Sequence, residues 1–359
     1  MKSYVLIAKF MIVFLALVIL LLCGFYRYEI RPVDKSGEDI SFNIKEGDTW
    51  YSIGPNLYEM NLINSYKFYK IYIKLFRPGN LEAGTYTLSS KMSLPEIIDT
   101  LENSKATNPN LVNITFKEGF NMRAIASVIE KNTDNTYEDV FKTLEDNDYI
   151  KSLITDYWFL DDIILNEKIY YPLEGYLFPS TYEVDKTKSV KEIFKSMLDE
   201  MDKELTKYKK DIESSGYTVH EILTMASIVE LEAGTAKDRA DVSGVFYNRM
   251  KTPGETLGSD VTAYYGAKMD DWTNGLGNAE VLCNAYNTRL NSKCPINGLP
   301  IGPISSPSDA SIKAAINPNI VDSFFFVADC SGKTYLSKTY SEHISTINKL
   351  KNEGNWCDN

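Results

Sequence analysis

The apolar residues of this chain fall into one long run followed by a series of short periodic patterns. Residues 10–25 are uninterruptedly apolar or glycine, and residues 4–8 extend the run once Lys9 carries its amine toward water. Together they approach the ~20 residues a helix needs to span a bilayer. Beyond the run, Ile40, Phe42 and Ile44 alternate with polar residues, the period of a half-buried strand. A Lys45-Glu46-Gly47 turn follows, and Thr49 opens a helical pattern through Tyr51, Ile53 and Leu57. The same arrangement returns as Val112, Ile114 and Phe116, then Lys117-Glu118-Gly119, then a helix capped by Asn121 through Ile125, Ala126 and Ile129. Between the two copies, residues 84–88 predict a second strand and residues 94–101 a helix capped by Ser93. Residues 38–103 therefore make a compact strand, helices, strand, helix unit. The polar stretch 104–110, broken by Pro109, is the expected linker.

A polar, Asp-rich helical stretch runs from 137 to about 165, and residues 171–179 are too rich in proline, glycine and aromatics to be helical. Such an aromatic loop can pack in a core or stack on sugar rings. Ile193, Phe194, Met197, Leu198, Met201 and Leu205 then mark an amphipathic scaffold helix. The most legible helix start comes next: Thr218 with Glu221 is a capping box, and Tyr217 with Ile222 can staple it. Ile222, Met225, Ala226, Val229 and Ala233 share one apolar face, with Glu230 on its edge beside Leu223 and Glu232 on the opposite edge. A carboxyl half sunk in apolar surroundings is expected to hold its proton to higher pH, as a general acid near neutrality requires.

A further helix ends near residues 247–249, and the remainder is rich in loops at 258–260, 286–289 and 298–304. Long irregular segments in a compact domain commonly shape a site. Ser306, with Asp309 three residues on, is expected to cap a short helix that stops before Pro318. Residues 324–328 predict a buried strand, and residues 340–350 a closing helix in which His343 is a structural hydrogen-bonding group.

Length and charge narrow the picture. A chain of 359 residues predicts two globular units. Its 38 basic and 49 acidic residues leave a net charge of −11 that no basic cluster interrupts, which argues against nucleic acid as a partner. There are only two histidines, His220 and His343, and no Cys-x-x-Cys pair, His-Glu-x-x-His or phosphate-cradling glycine loop, so no metal and no cofactor are expected. Cys23 lies in the apolar run. Cys283, Cys294, Cys330 and Cys357 can pair in three ways, of which Cys283–Cys294 closes a short loop, or can all remain thiols. No small-x-small cleavage site follows the run, which favours a retained anchor; Lys2 and Lys9 before it and Arg27 and Arg31 after it leave the orientation open.

Six motifs then stand in order: Leu173-Glu174-Gly175-Tyr176-Leu177-Phe178-Pro179, Met225-Ala226-Ser227-Ile228-Val229-Glu230, Phe246-Tyr247-Asn248-Arg249, Tyr286-Asn287-Thr288, Gly298-Leu299-Pro300-Ile301-Gly302-Pro303-Ile304 and Phe326-Val327-Ala328. Over nearly the whole chain the set resembles the YceG-like family of endolytic murein transglycosylases. The resemblance implies an α+β fold with an N-terminal transmembrane helix, a small LysM-like module and a larger mixed catalytic domain, over residues 1–26, 27–107 and 108–359. It implies a single-pass membrane protein, with its N-terminus in the cytoplasm and its catalytic domain outside. The expected reaction is cleavage of peptidoglycan glycan strands between N-acetylmuramic acid and N-acetylglucosamine, leaving 1,6-anhydro ends, with Glu230 as the general acid/base. Asp260, Tyr286 and Asn287 are candidates for favouring the positive charge at the sugar ring, and Glu174 is a further candidate for substrate binding. Penicillin-binding proteins or other wall-synthesis proteins are the implied partners. The chain departs from the family pattern at Val261, where proline is usual, at Thr334, where histidine is frequent, and in the longer loop 290–297 with Cys294. Two alternatives stand beside this reading: a muramidase, which needs a second carboxylate that Asp260 or Glu174 could supply, and a non-catalytic peptidoglycan-binding scaffold.

Overall fold

The computed structural model describes residues 2–34, 37–103, 108, 110–273, 275–289 and 292–357, and the chain divides into two compact units, 1–109 and 110–359. Residues 104–107 and 109 of the expected linker, and 290–291 of the lengthened loop, lie outside the described residues.

The first unit opens with α1 (Lys2–Ile30), whose segment Lys9–Ile30 is long and apolar enough to cross a membrane. Then come β1 (Asp39–Ile44), α2 (Trp50–Glu59), α3 (Tyr66–Phe76), β2 (Gly84–Ser89) and α4 (Leu94–Asn103). β1 and β2 pair antiparallel with Phe42 opposite Tyr86 and Ile40 opposite Leu88. Phe42, Ile44, Tyr86 and Leu88 point inward, onto Ile53 and Leu57 of α2, Tyr69 of α3 and Ile97 and Leu101 of α4. Thr49 caps α2 in a capping box with Ser52.

The second unit holds β3 (Leu111–Thr115), α5 (Met122–Asn132), α6 (Tyr137–Glu145), α7 (Asn147–Asp156), β4 (Thr181–Asp185), α8 (Val190–Thr206), α9 (Lys209–Ser215), α10 (Val219–Glu232), α11 (Arg239–Lys251), α12 (Asp260–Gly266), α13 (Asp309–Ile316), β5 (Phe325–Ala328), β6 (Thr334–Ser337) and α14 (Tyr340–Asn352). β3 pairs with β4 and β5 with β6, both antiparallel. The architecture is mixed α+β. The Asp-rich stretch breaks into two helices because Asp146 closes α6 and its side chain caps α7. The helix α13 is capped by Ser308, not Ser306: Pro307 intervenes, and the Ser308 side chain accepts from the Ser311 N–H. Disulfides join Cys283 to Cys294 and Cys330 to Cys357, while Cys23 is a free thiol exposed on α1.

The two Lys-Glu-Gly turns recur in three dimensions. Gly47 and Gly119 both take left-handed backbone (φ +87° and +77°), each turning an inner-facing strand into a capped helix. Nothing lies within 4 Å of where a Gly47 side chain would begin, whereas at Gly119 a Cβ would meet Leu231 at 3.2 Å and Glu230 Cγ at 3.9 Å. The second turn has been brought against α10.

Candidate active site

The helix α10 starts at the expected Thr218–Glu221 capping box. It is buried continuously from Ile222 to Val229, rather than on the single face its spacing predicts, because α11, α12 and α13 all pack on it. Small polar side chains make that possible. Ser227 donates to the Thr224 carbonyl, receives the Ile304 N–H, and its own carbonyl accepts from Ser305, which ties the loop 298–306 to the middle of the helix. Two turns earlier, His220 Nε2 lies 2.7 Å from the Ile301 carbonyl and Nδ1 lies 2.7 Å from the Tyr176 hydroxyl. A carbonyl only accepts, so Nε2 carries the proton and Nδ1 receives the tyrosine's. Burial lowers the His220 pKa, in keeping with this neutral form. One imidazole thus pins the 171–179 loop and the 298–304 loop to α10.

Glu230 ends this run with its side chain only 5% exposed. Its Oε1 accepts from Arg239 Nη2 at 2.7 Å. Its Oε2 accepts from the Ser308 N–H at 2.9 Å, the Ser308 hydroxyl at 2.5 Å and the Ser311 hydroxyl at 2.7 Å. Ser308 being the cap of α13, the positive end of that helix faces the carboxylate. Burial pushes the carboxyl up, but the Ser308 and Ser311 hydroxyls, the Ser308 N–H and the Arg239 guanidinium outweigh it and hold Glu230 below the ordinary glutamate value. The apolar setting expected for Glu230 is therefore corrected: its cradle is polar and stabilises the anion. Each carboxylate oxygen has two acceptor positions: Oε2 is crowded by three donors, whereas Oε1 takes only Arg239 and keeps a position open. Protonating this carboxylate means overcoming the hold of these donors on the anion. Arg239 is the charged one, and it stands at the first residue of α11.

Beside Glu230 opens a cavity of about 380 Å3. Gly119, Phe120, Leu231, Val261 and Ile304 form its apolar wall, and Tyr265 and Trp272 its aromatic one; Asn121, Arg123 and Asp270 supply polar groups. Arg123 holds Asp270 through Nε and Nη2, at 2.9 and 2.7 Å, and Asn121 donates to the same carboxylate. Trp272 stacks on Tyr264 at 5.2 Å with a 17° interplanar angle.

A YceG-like family model matches residues 42–349. The chain belongs to the YceG-like family. It is 33% identical to the endolytic murein transglycosylase of Bacillus subtilis (strain 168), over 90% of this chain and 89% of that protein. It is 29% identical to the endolytic murein transglycosylase of Streptococcus pneumoniae serotype 2, over 95% of this chain but 65% of that longer protein. A crystal structure of a YceG-like protein from Listeria monocytogenes, 32% identical, aligns with a TM-score of 0.61 over 87% of this chain and all of that one.

Within this YceG-like site the other candidate residues are distributed unevenly. Asp260 begins α12, is 52% exposed at its side chain, and pairs with Arg289, which also holds Glu280. Tyr286 is fully buried, its hydroxyl accepting from the Tyr170 N–H. Asn287 is fully buried too, its amide donating to the carbonyls of Ala279, Glu280 and Leu282. Both brace the loop before Arg289 and present no side chain to the cavity. Glu174 is 2% exposed; its Oε2 accepts from the Met122 N–H and the Tyr265 hydroxyl, and burial pushes its carboxyl up to about 7. Glu232 points away from Glu230 to the Ser259 hydroxyl, and burial pushes it up as well. His343 stacks on Phe325, and its buried Nδ1 has no hydrogen-bond partner. Among the described residues no cluster of His, Cys, Asp and Glu could hold a metal. Sequence reading missed Arg239, Ser308 and Ser311; the Ser308-x-x-Ser311 spacing after Pro307 was the available signal for a helix start there.

Proposed function

We propose that this chain is a membrane-anchored endolytic lytic transglycosylase. It cleaves peptidoglycan glycan strands between N-acetylmuramic acid and N-acetylglucosamine and leaves 1,6-anhydro ends. The observation that carries the reading is the buried Glu230 carboxylate, ringed by donors, whose neighbours Leu231 and Gly119 line a polar and aromatic cavity. The curated relatives bear the name endolytic murein transglycosylase. Glu230, once protonated, gives its proton to the glycosidic oxygen leaving the muramic acid C1. As carboxylate it then takes the proton from that sugar's own C6 hydroxyl, which closes on C1. The Ser308 and Ser311 hydroxyls, retained throughout, steady the anion between the two transfers. Asp260, the exposed carboxylate among the candidates, favours the positive charge that develops at the ring, while Glu174, Tyr286 and Asn287 hold the walls.

A muramidase would place a second carboxylate ~5–5.5 Å or ~6.5–9.5 Å from the first. The groups touching the Glu230 carboxylate are all donors, and Glu232, Glu174 and Asp260 are each bonded elsewhere. We assign residues 1–26 to the anchor, with the N-terminus cytoplasmic, residues 27–107 to a glycan-binding LysM-like module and residues 108–359 to catalysis. The β1-α2-α3-β2 order, with two helices between paired strands, supports the middle assignment.

The test is mass spectrometry of the products formed from purified glycan strands by the full-length protein and by Glu230→Gln. Anhydro ends, lighter than reducing ends by one water and absent with Glu230→Gln, are expected. Reducing ends would establish a hydrolase, and equal cleavage by the variant would remove Glu230 from the chemistry. Glycan binding without cleavage by either protein would leave the scaffold.

A further inference from the structure

The helix α3 has an outer face that its own unit leaves uncovered. Phe68, Tyr69, Tyr72 and Ile73 are buried on the inner side. Lys67, Lys70, Ile71, Lys74 and Leu75 recur at i, i+3, i+4, i+7 and i+8 on the other, with Ile71 55%, Leu75 71% and the adjoining Phe76 56% exposed. No acidic residue occurs in the helix. Because the lysines are spaced three and four apart, no basic cluster is visible along the sequence; the helix gathers them into one stripe on a chain of net charge −11. Aliphatic and aromatic side chains between lysines make the composition of a helix that lies in the headgroup layer of a bilayer.

Its position points to the same partner. Phe68 of α3 is met by Phe25 at 5.8 Å and Tyr26 at 6.0 Å, both at the C-terminal end of the apolar α1. Tyr26 and Tyr28, with Arg27 and Arg31, make this the aromatic and basic end expected where a span leaves the membrane. The helix α3 is thereby held where an anchored α1 emerges, within reach of lipid headgroups.

We propose that α3 is an interfacial helix seated on anionic phospholipid, with Ile71, Leu75 and Phe76 dipping toward the acyl chains and Lys67, Lys70 and Lys74 on the phosphates. This rests on the anchored reading of α1. The seat gives the first unit a second membrane contact and so limits its tilt about the span.

The test uses the full-length protein with Cys23→Ser, in which the remaining cysteines are disulfide-bonded and a single introduced thiol takes a spin label. Labels at Leu75→Cys and, separately, at Leu17→Cys are read in nanodiscs of phosphatidylcholine with and without phosphatidylglycerol. The collision rate with oxygen is compared with that of a water-soluble nickel chelate. At position 75 the oxygen-to-nickel ratio should rise on adding phosphatidylglycerol, and return to the value in water in Lys67→Glu/Lys70→Glu/Lys74→Glu. A water-like ratio at 75 in both lipids, with position 17 in the bilayer, overturns the proposal and leaves the anchor intact. Immersion at 75 unchanged by lipid charge or by charge reversal overturns the anionic assignment. A water-like ratio at 17 sinks the anchor reading, and the proposal with it.

Discussion

At Glu230, one side chain carries two opposed forces. Burial disfavours the anion, and four donors favour it more, so the folded value lies below the unfolded 4.5. The linkage follows directly: the stability this carboxylate contributes is present above pH 4.5 and is lost as pH falls through the depressed folded value. Arg239→Gln removes the one formal charge in the cradle. Glu230 should then titrate higher, seen as a shifted carboxyl resonance in labelled protein, and the alkaline limb of kcat/KM for glycan cleavage should move up with it. An unmoved resonance would mean that the α13 terminus alone holds the anion. Glu174 works in the other direction. Its folded value of about 7 exceeds the unfolded 4.5, so its contribution is complete below pH 4.5 and is lost as pH rises toward 7 and beyond. Glu174→Gln should flatten the fall in stability between pH 5 and 8, which is at most about 3 kcal/mol by denaturant titration. Glu230 was legible because its helix start and motif are local. Its partners were not: Ser308 and Ser311 reach it from the start of α13, 78 and 81 residues away, and no periodicity encodes that approach.

Elements announced by their own ends were legible. Thr49, Asn121, Thr218 and Thr339 cap helices by local hydrogen bonds, and the sequence pattern places those helices well. The strand β4 and the short α12 escaped because each depends on a distant partner for its pairing or burial, and β6 because its four residues, paired with β5 just across a turn, are too few to show an alternation. The paired Lys-Glu-Gly turns separate a turn's intrinsic cost from the cost of crowding. Gly47→Ala imposes left-handed backbone in open space and should cost about 1 kcal/mol, with cleavage unchanged. Gly119→Ala carries the same strain and also presses a methyl toward Leu231. It should lose more stability than Gly47→Ala in thermal unfolding and should also lower kcat, because the displaced segment is the one that carries Glu230. Equal effects of the two substitutions on activity would show that the second turn does not position α10.

For the molecule as a whole, composition foresaw two units and an apolar N-terminal helix, and left the cysteines open. The structure pairs them in the second unit. Cys330–Cys357 fastens the segment after α14 to the β5–β6 connection, where the Cys330 N–H also donates to the Asn355 carbonyl. Opening a loop of this length by Cys330→Ala/Cys357→Ala should cost the second unit about 3 kcal/mol, read as a lower urea midpoint. Wild-type protein under a reductant, which also opens Cys283–Cys294, should fall at least as far as the variant. Disulfides of this kind belong to oxidising compartments.

The connection between α1 and β1 is short. Residues 31–38 can span at most roughly 30 Å when fully extended, and α1 also touches α4 within the same unit. For an anchored enzyme, that makes encounter with substrate a two-dimensional problem. The relevant concentration is the number of glycan strands per area of membrane within a thin layer above it, not their amount in the wall. Material farther out is invisible however abundant it is, and each strand is open to cutting only during the interval it spends in that layer. Lengthening 31–38 would change which glycan is cut without altering any catalytic group.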